Sequence, residues 1–170
     1  MKIEKATEAD VKSIVALLNS AYRGESSKEG WTTEAHLIGG NRRTDEDNVI
    51  ETMNLPGSAT LKCTDENNQL AGTVNLQKHG NRLYLGMLSV SPKLQGKGTG
   101  KLLLQAAEAY AKEVGCDTVY MSVISVRDEL IAWYKRHGYV DTGERKDFHE
   151  DGLTGNHLQK LEFATLEKRI

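Results

Sequence analysis

Apolar positions recur at three-to-four spacing in the longer patterned stretches of this chain and alternate with polar ones in several shorter runs. That mixture predicts amphipathic helices and half-buried strands. Lys2 to Ala6 alternates and reads as a short edge strand. Val11, Ile14, Leu18, Ala21 and Tyr22 then share one helical stripe, with Thr7 or Asp10 placed to cap it. From Arg23 to Asp47 the pattern weakens into glycine, serine and charge, with a short helical stretch around Thr33 to Ile38. Three strands follow, Ala59–Thr64, Gln69–Lys78 and Arg82–Val90; Asp65-Glu-Asn-Asn and His79-Gly80-Asn81 supply hairpin turns between them. A second strong helix covers Gly98 to Val114 and is stopped by Gly115. Thr118–Ile124 is a largely buried strand, and Asp128–His137 a short helix closed by Gly138. Tyr139 to about Arg145 and Asn156 to Leu166 form two last strands around the turn-rich Glu150-Asp-Gly-Leu-Thr-Gly.

No repeat, linker or low-complexity tract interrupts the 170 residues, so residues 1–170 are expected to form a single α/β (α+β) domain with a substantial core. The surface is mixed, with 22 basic and 24 acidic residues and a net charge of −2, which gives no support to nucleic-acid binding. No apolar window reaches the roughly 18 residues of a membrane span. The first ten residues lack the apolar core of a signal peptide. Cys63 and Cys116 are isolated, without metal-ligand spacing, and read as buried reduced thiols. The expectation is a cytoplasmic protein that holds no metal and contacts neither membrane nor nucleic acid, with a homodimer left open.

The chemistry concentrates after the third of those strands. Leu88-Ser89-Val90 runs through Pro92 into Gln95-Gly96-Lys97-Gly98-Thr99-Gly100-Lys101 and then into the second long helix. A basic, glycine-rich turn at a helix N-terminus gathers free backbone N–H groups and two lysines, the arrangement that holds a phosphate-bearing ligand. A Walker loop does not fit, because Gln95 stands where its first glycine belongs and Leu102 where its hydroxyl belongs. A dinucleotide fingerprint fails as well, since Gly100 comes one residue early after Gly96 and Gly98. One strand length upstream, Gly86 interrupts Leu83-Tyr-Leu-Gly-Met-Leu-Ser-Val90, as at a bulge or a close backbone approach. Further on, Ile131-Ala-Trp133-Tyr134-Lys-Arg-His-Gly138-Tyr139 places adjacent aromatics at a helix end, where Trp133 and Tyr139 are most simply core residues.

The Gln-x-x-Gly-x-Gly loop after an extended strand resembles the diphosphate-binding motif of the GNAT superfamily, the acyl-CoA-dependent N-acyltransferases. The resemblance is dense from Gly86 to Tyr139 and covers the rest of the chain only as an order of elements. It implies a mixed, mostly antiparallel sheet flanked by helices and splayed between its fourth and fifth core strands. Acetyl-CoA as co-substrate would enter the gap between Leu83–Val90 and Thr118–Ile124. The implied cofactor contacts are the backbone of Leu88, Ser89 and Val90 and the loop residues Gln95, Gly96, Lys97, Gly98, Thr99, Gly100 and Lys101. Tyr134 falls where such enzymes carry the hydroxyl that protonates the departing thiolate; packing against a buried acceptor is the other use open to it. Two positions depart from the pattern. Arg127 replaces an asparagine that contacts the cofactor in many relatives, so it is open to a phosphate or a carboxylate. Ser122 stands where some branches carry a catalytic glutamate.

The acceptor implied is a primary amine on a small molecule or a peptide. Attack on a thioester needs the neutral amine, and an alkylamine has a pKa near 10.4, so a base or a water chain is expected. Glu25, Glu34 and His36 in the irregular segment are candidates, as are His149 and Glu150 near the final hairpin. Elimination and the neighbouring Trp31 favour Glu25 and Glu34, and with them a cationic amine. Two rivals remain: a non-catalytic acyl-CoA-binding or sensing module, and a protein that uses the glycine loop for ATP or NAD.

Overall fold

The computed structural model describes the backbone of all 170 residues and every side chain except that of Glu25. In chain order the strands are β1 (Lys2–Lys5), β2 (Ile38–Gly39), β3 (Ser58–Thr64), β4 (Leu70–His79), β5 (Arg82–Val90), β6 (Thr118–Ile124), β7 (Val140–Phe148), β8 (Asn156–His157) and β9 (Leu161–Arg169). The helices are α1 (Val11–Tyr22), α2 (Gly24–Ser27), α3 (Glu46–Met53), α4 (Thr99–Glu113) and α5 (Asp128–Arg136). Seven strands form one sheet in the order β1-β3-β4-β5-β6-β9-β7, antiparallel throughout except for the parallel pair β5–β6; β2 and β8 make a separate two-stranded sheet. This is the mixed, mostly antiparallel sheet flanked by helices that the sequence predicts.

Each face of the sheet is covered by the helix stripe that its apolar residues require. Leu103, Leu104, Ala107 and Ala111 of α4 pack with Tyr134 and Tyr139 against Val74, Leu76, Leu83 and Leu85. On the other face Val11, Ile14 and Leu18 of α1 meet Val49 of α3 and the partly buried Leu70 and Met87. A third cluster of Leu37, Ile38, Ile124 and Leu161, backed by Phe148 and Phe163, ties the small sheet to the large one. Gly72 lets α4 come close to the sheet. A Cβ there would lie 2.8 Å from Leu103 Cδ1 and 3.0 Å from the Ser89 carbonyl oxygen.

Several elements differ from the sequence reading, among them the short helix α2 in the stretch read as irregular. α3 was not anticipated: its eight residues bury only Val49, and its signal is the Asp45 cap, whose side chain accepts from the Asn48 N–H at 2.8 Å. Residues 34–37 form a turn rather than a short helix, and Ile38–Gly39 pairs as β2 with β8. The single strand expected from Asn156 to Leu166 is two strands, because Asn156–His157 pairs with β2 and the main-sheet strand begins only at Leu161. Tertiary pairing decides these short elements where local pattern is weak.

The functional consequence of the topology lies between β5 and β6. They pair only through Arg82↔Thr118, Leu83↔Val119 and Tyr84↔Tyr120, and beyond that the strands diverge. The cause is a bulge in β5: Asn75 faces Gly86 but Thr73 faces Ser89, so two steps on β4 oppose three on β5. The sequence pointed to Gly86, yet the residue with left-handed backbone is Met87, at φ 54°. A methionine in that region costs on the order of 1–3 kcal/mol and persists only where the surroundings enforce it. Gly72→Ala should lower stability by about 1–3 kcal/mol through overpacking between α4 and the Ser89 carbonyl. Equilibrium denaturation measures it, and an unchanged midpoint would show that Leu103 can move aside.

Candidate active site

Two cavities meet at the splay. The larger, of about 460 Å³, lies between the end of β5, the N-terminus of α4 and α5. Leu88, Ser89, Val90, Gln95, Gly96, Gly98, Thr99, Gly100 and Lys101 all line it; Lys97 is exposed and does not. Gly96 and Gly98 have φ of 84° and 81°, with open space where a Cβ would stand. Their requirement for glycine is therefore conformational, and the loop's backbone curls in a way that other residues resist. Gly100 has ordinary backbone and lies against the Trp133 ring, 3.5 Å from where its Cβ would be.

Two carbonyls of β5, Leu88 O and Val90 O, are two residues apart and point the same way. Both are held by side chains: the Tyr22 hydroxyl donates to Leu88 O, and Gln95 Nε2 donates to Val90 O at 3.1 Å. Gln95 also accepts the Trp31 backbone N–H at 2.8 Å and so joins the glycine loop to the irregular segment. Trp31, half exposed, borders this cavity and not the one on the other side of the splay, where it was expected. The hydroxyls of Ser89 and Thr99 are buried without a hydrogen-bond partner. Orphaned groups of that kind ask for a ligand partner.

The smaller cavity, about 130 Å³, opens on the other side of the splay among Tyr84, Met87, Ser122, Phe148, Phe163 and Arg43. Tyr22, Leu88, Arg127, Leu130 and Tyr134 line both cavities and form the junction. The Tyr134 ring is fixed by edge contacts with Trp133 at 5.1 Å and Tyr139 at 5.8 Å. Its hydroxyl makes no hydrogen bond among the described residues. Burial pushes its pKa well above the usual phenol range, Tyr22 adds to the rise, and Arg127 opposes it. It is thus a neutral O–H at the meeting point.

Glu34 is placed differently from the expectation of a carboxylate facing an amine. Buried at 7% exposure, it accepts from Arg23 Nη1 at 2.5 Å and from Arg127 Nη1 at 2.9 Å. Both its oxygens are engaged by guanidinium groups, and it serves as the centre of an Arg–Glu–Arg cluster. Arg23 also donates from Nε to Thr154 O at 2.7 Å, so the cluster pins α1 to the loop before β8. Arg127 spends its other terminal nitrogen on Thr32 Oγ1 at 2.7 Å, while its buried Nε makes no hydrogen bond among the described residues and faces Glu129 at 3.8 Å. Of the other base candidates, His36 and His149 are exposed and Glu150 accepts the His157 N–H at 2.7 Å; none lines either cavity. The backbone of Glu25 belongs to α2, and its side chain lies outside the described structure. Among the described residues no group of three or more His, Cys, Asp or Glu could hold a metal, and no helix is long and apolar enough to cross a membrane.

Three residues of this site were not singled out from the sequence. Tyr22 read as the last residue of a helix stripe, and Arg23 and Arg43 as charges in an irregular stretch. Only the tyrosine carried a signal, a polar tip at the end of a buried face.

The chain thus combines a strand pair parted by a bulge with a glycine-rich helix entry on one side and a small, arginine-lined cavity on the other. The profile of the acetyltransferase (GNAT) family matches residues 13–139. A curated relative, streptothricin acetyltransferase of Streptomyces lavendulae, is 30% identical over 88 residues, which is 51% of this chain and 47% of that protein. The match thus spans about half the length of the curated relative. Among solved structures, the ribosomal-protein-alanine N-acetyltransferase of Brucella melitensis superposes over 100% of both chains, with a TM-score of 0.74 and 20% identity. YncA of Salmonella typhimurium, solved with its cofactor acetyl-CoA, covers 99% of this chain and 93% of its own, with a TM-score of 0.70 and 21% identity. The chain belongs to the GNAT acetyltransferase family.

The Arg23–Glu34–Arg127 cluster should be a stability element. Removing the shared carboxylate leaves two buried guanidinium groups facing each other, so Glu34→Ala should cost roughly 3–5 kcal/mol. Urea denaturation reads this. A loss under about 1 kcal/mol, with kinetics toward the acceptor impaired, would return Glu34 to the role of catalytic base.

Proposed function

We propose that this protein is an N-acetyltransferase that moves the acetyl group of acetyl-CoA to a primary amine by direct attack on the thioester. The observation that carries the reading is the Tyr134 hydroxyl, without a described partner at the junction of the two cavities. The residues present fit the cosubstrate. The gap beside β5 suits an extended chain added like a strand, with main-chain contacts from Leu88, Ser89 and Val90. The turn Gln95–Lys101 would give its amides, Lys101 and the orphaned Thr99 hydroxyl to the phosphates. Acetyl-CoA would supply the activated carbonyl, and the Leu88 amide region would polarise it. Tyr134 holds the proton for the sulfur, and the amine would approach from the smaller cavity. Arg127, engaged with Glu34 and Thr32 rather than free to grip a phosphate, would oppose the rise in the Tyr134 pKa by its charge.

Binding titrations with acetyl-CoA, ATP and NAD, followed by thiol release against a panel of amines, test the reading. A non-catalytic acyl-CoA-binding module would bind acetyl-CoA and release no thiol with any amine. Gly100→Asp should weaken acetyl-CoA binding by more than about tenfold. This position is a cleaner probe than Gly98, because its backbone is unstrained and a Cβ there would meet only ordinary van der Waals contacts. Wild-type affinity in the folded variant would place the phosphates elsewhere.

Tyr134→Phe keeps the ring contacts and removes the proton donor, so kcat should fall about 10²-fold with little change in acetyl-CoA affinity. Because the Tyr134 pKa is raised, its acid form persists as pH rises. Turnover should therefore climb with amine deprotonation and show no falling limb up to about pH 10. An unchanged kcat in the variant, with chemistry rate-limiting, would reassign Tyr134 to packing.

A further inference from the structure

The smaller cavity carries a charge that its chemistry has to answer. Arg23, Arg43 and Arg127 line it with a single carboxylate, Glu34, which Arg23 and Arg127 share; Glu129, outside the cavity, lies 3.8 Å from Arg127 Nε, so the guanidinium left without a carboxylate is that of Arg43. Arg43 has no carboxylate partner among the described residues. Its guanidinium lies 5.6 Å from the centre of the Tyr22 ring, the same ring whose hydroxyl holds Leu88 O at the junction. Beside these charges the wall carries Ser122 and three tyrosines, and an apolar part formed by Met87, Leu130, Phe148 and Phe163. A cavity with surplus guanidinium charge repels a polycation and selects an anion. Arginine is also the side chain suited to bidentate recognition of a carboxylate.

We infer that the acceptor is an amine bearing its own carboxylate and an apolar side chain, an amino acid in the simplest case, and that Arg43 receives the carboxylate. The inference rests on the N-acetyltransferase reading above and narrows it. It also replaces the cationic amine expected from the sequence, because Glu34 is neutralised by its two arginines. The same charge eases the chemistry. A positive potential disfavours the ammonium form and lowers the pKa of a bound amine, so more of it is neutral at a given pH. Among the described residues the cavity has no other carboxylate and no imidazole to act as base.

The test compares kcat/KM for L-leucine, L-methionine and L-phenylalanine, each beside the amine that lacks its carboxylate. The wild type should prefer the acids by at least about tenfold, and Arg43→Gln should reduce that preference by about tenfold or more. Arg43→Lys should restore part of it, which a merely structural role would not do. Equal or better use of the decarboxylated amines by the wild type overturns the inference, as does a preference unchanged in Arg43→Gln. Absence of thiol release with every amine would instead count against the transferase reading. Calorimetric titration of L-leucine into wild type and Arg43→Gln, each saturated with CoA, then decides the anion site alone. Binding lost in the variant upholds it, and no binding to the wild type overturns it.

Discussion

The separation of β5 from β6 is the constraint from which the rest of the site follows. A parallel pair that continued past Tyr84 and Tyr120 would close the sheet and leave no place for an extended ligand. The extra residue at the β5 bulge prevents this by turning the backbone through Met87, whose left-handed φ is unfavourable for a side chain. Strained backbone survives where neighbours hold it. Here β4 pairs with β5 on both sides of the bulge, Met87 packs into the cluster beneath α1, and the Tyr22 hydroxyl fixes the next carbonyl. The separated strands then expose main-chain groups that a sheet would have paired. Two of these, Leu88 O and Val90 O, are held by side chains from other elements, which keeps the gap open and shaped.

Those two side chains also connect parts of the chain that are far apart in sequence. Tyr22 ends α1, and Gln95 begins the glycine loop and reaches back to Trp31. Gly30 accommodates that reach, since a Cβ there would lie 2.2 Å from Gln95 Oε1. The irregular segment after α1 is therefore fastened at two adjacent residues, Trp31 to the loop through Gln95 and Thr32 to α5 through its hydroxyl, which donates to Glu129 at 2.8 Å. A long stretch with little regular structure can hold a precise position when its polar groups are spent in this way.

The sequence was most legible where pattern and local chemistry agree. β5 and β6 matched to the residue, α4 to within one at each end, and the helix-stopping glycines Gly115 and Gly138 have positive φ. The loop Gln95–Lys101 was legible because glycine, lysine and helix start coincide in seven residues. The other side of the splay was not, for a physical reason. Its residues come from α1, the irregular segment, β5, β6, α5 with the residue before it, β7 and β9, and nothing in the spacing of Arg23, Glu34, Arg43 and Arg127 says that they converge. A glutamate in a polar stretch reads as a free carboxylate until the two guanidinium groups that hold it are in view. The bulge was located one residue early for a related reason: the sequence shows the glycine, whereas the strain falls on the residue that packing forces.

The convergence of arginines bears on how a transferase can work with Ser122 in the place where a glutamate would serve as base. A base raises the fraction of neutral amine by taking a proton, and a positive environment raises it by making the ammonium form unfavourable. The second route needs no group in contact with the nitrogen. It does need the acceptor to be drawn into a positive cavity by something other than its amine. A carboxylate on the acceptor meets that need, because the attraction that binds it and the repulsion that deprotonates the amine come from the same guanidinium groups. In the proposed reaction Tyr134, at the junction itself, would complete the sequence, since the burial that raises its pKa keeps the phenol protonated as the amine becomes neutral. On that proposal acid and acceptor would be tuned by one set of surroundings: burial would act on the phenol, and the arginine charge on the amine.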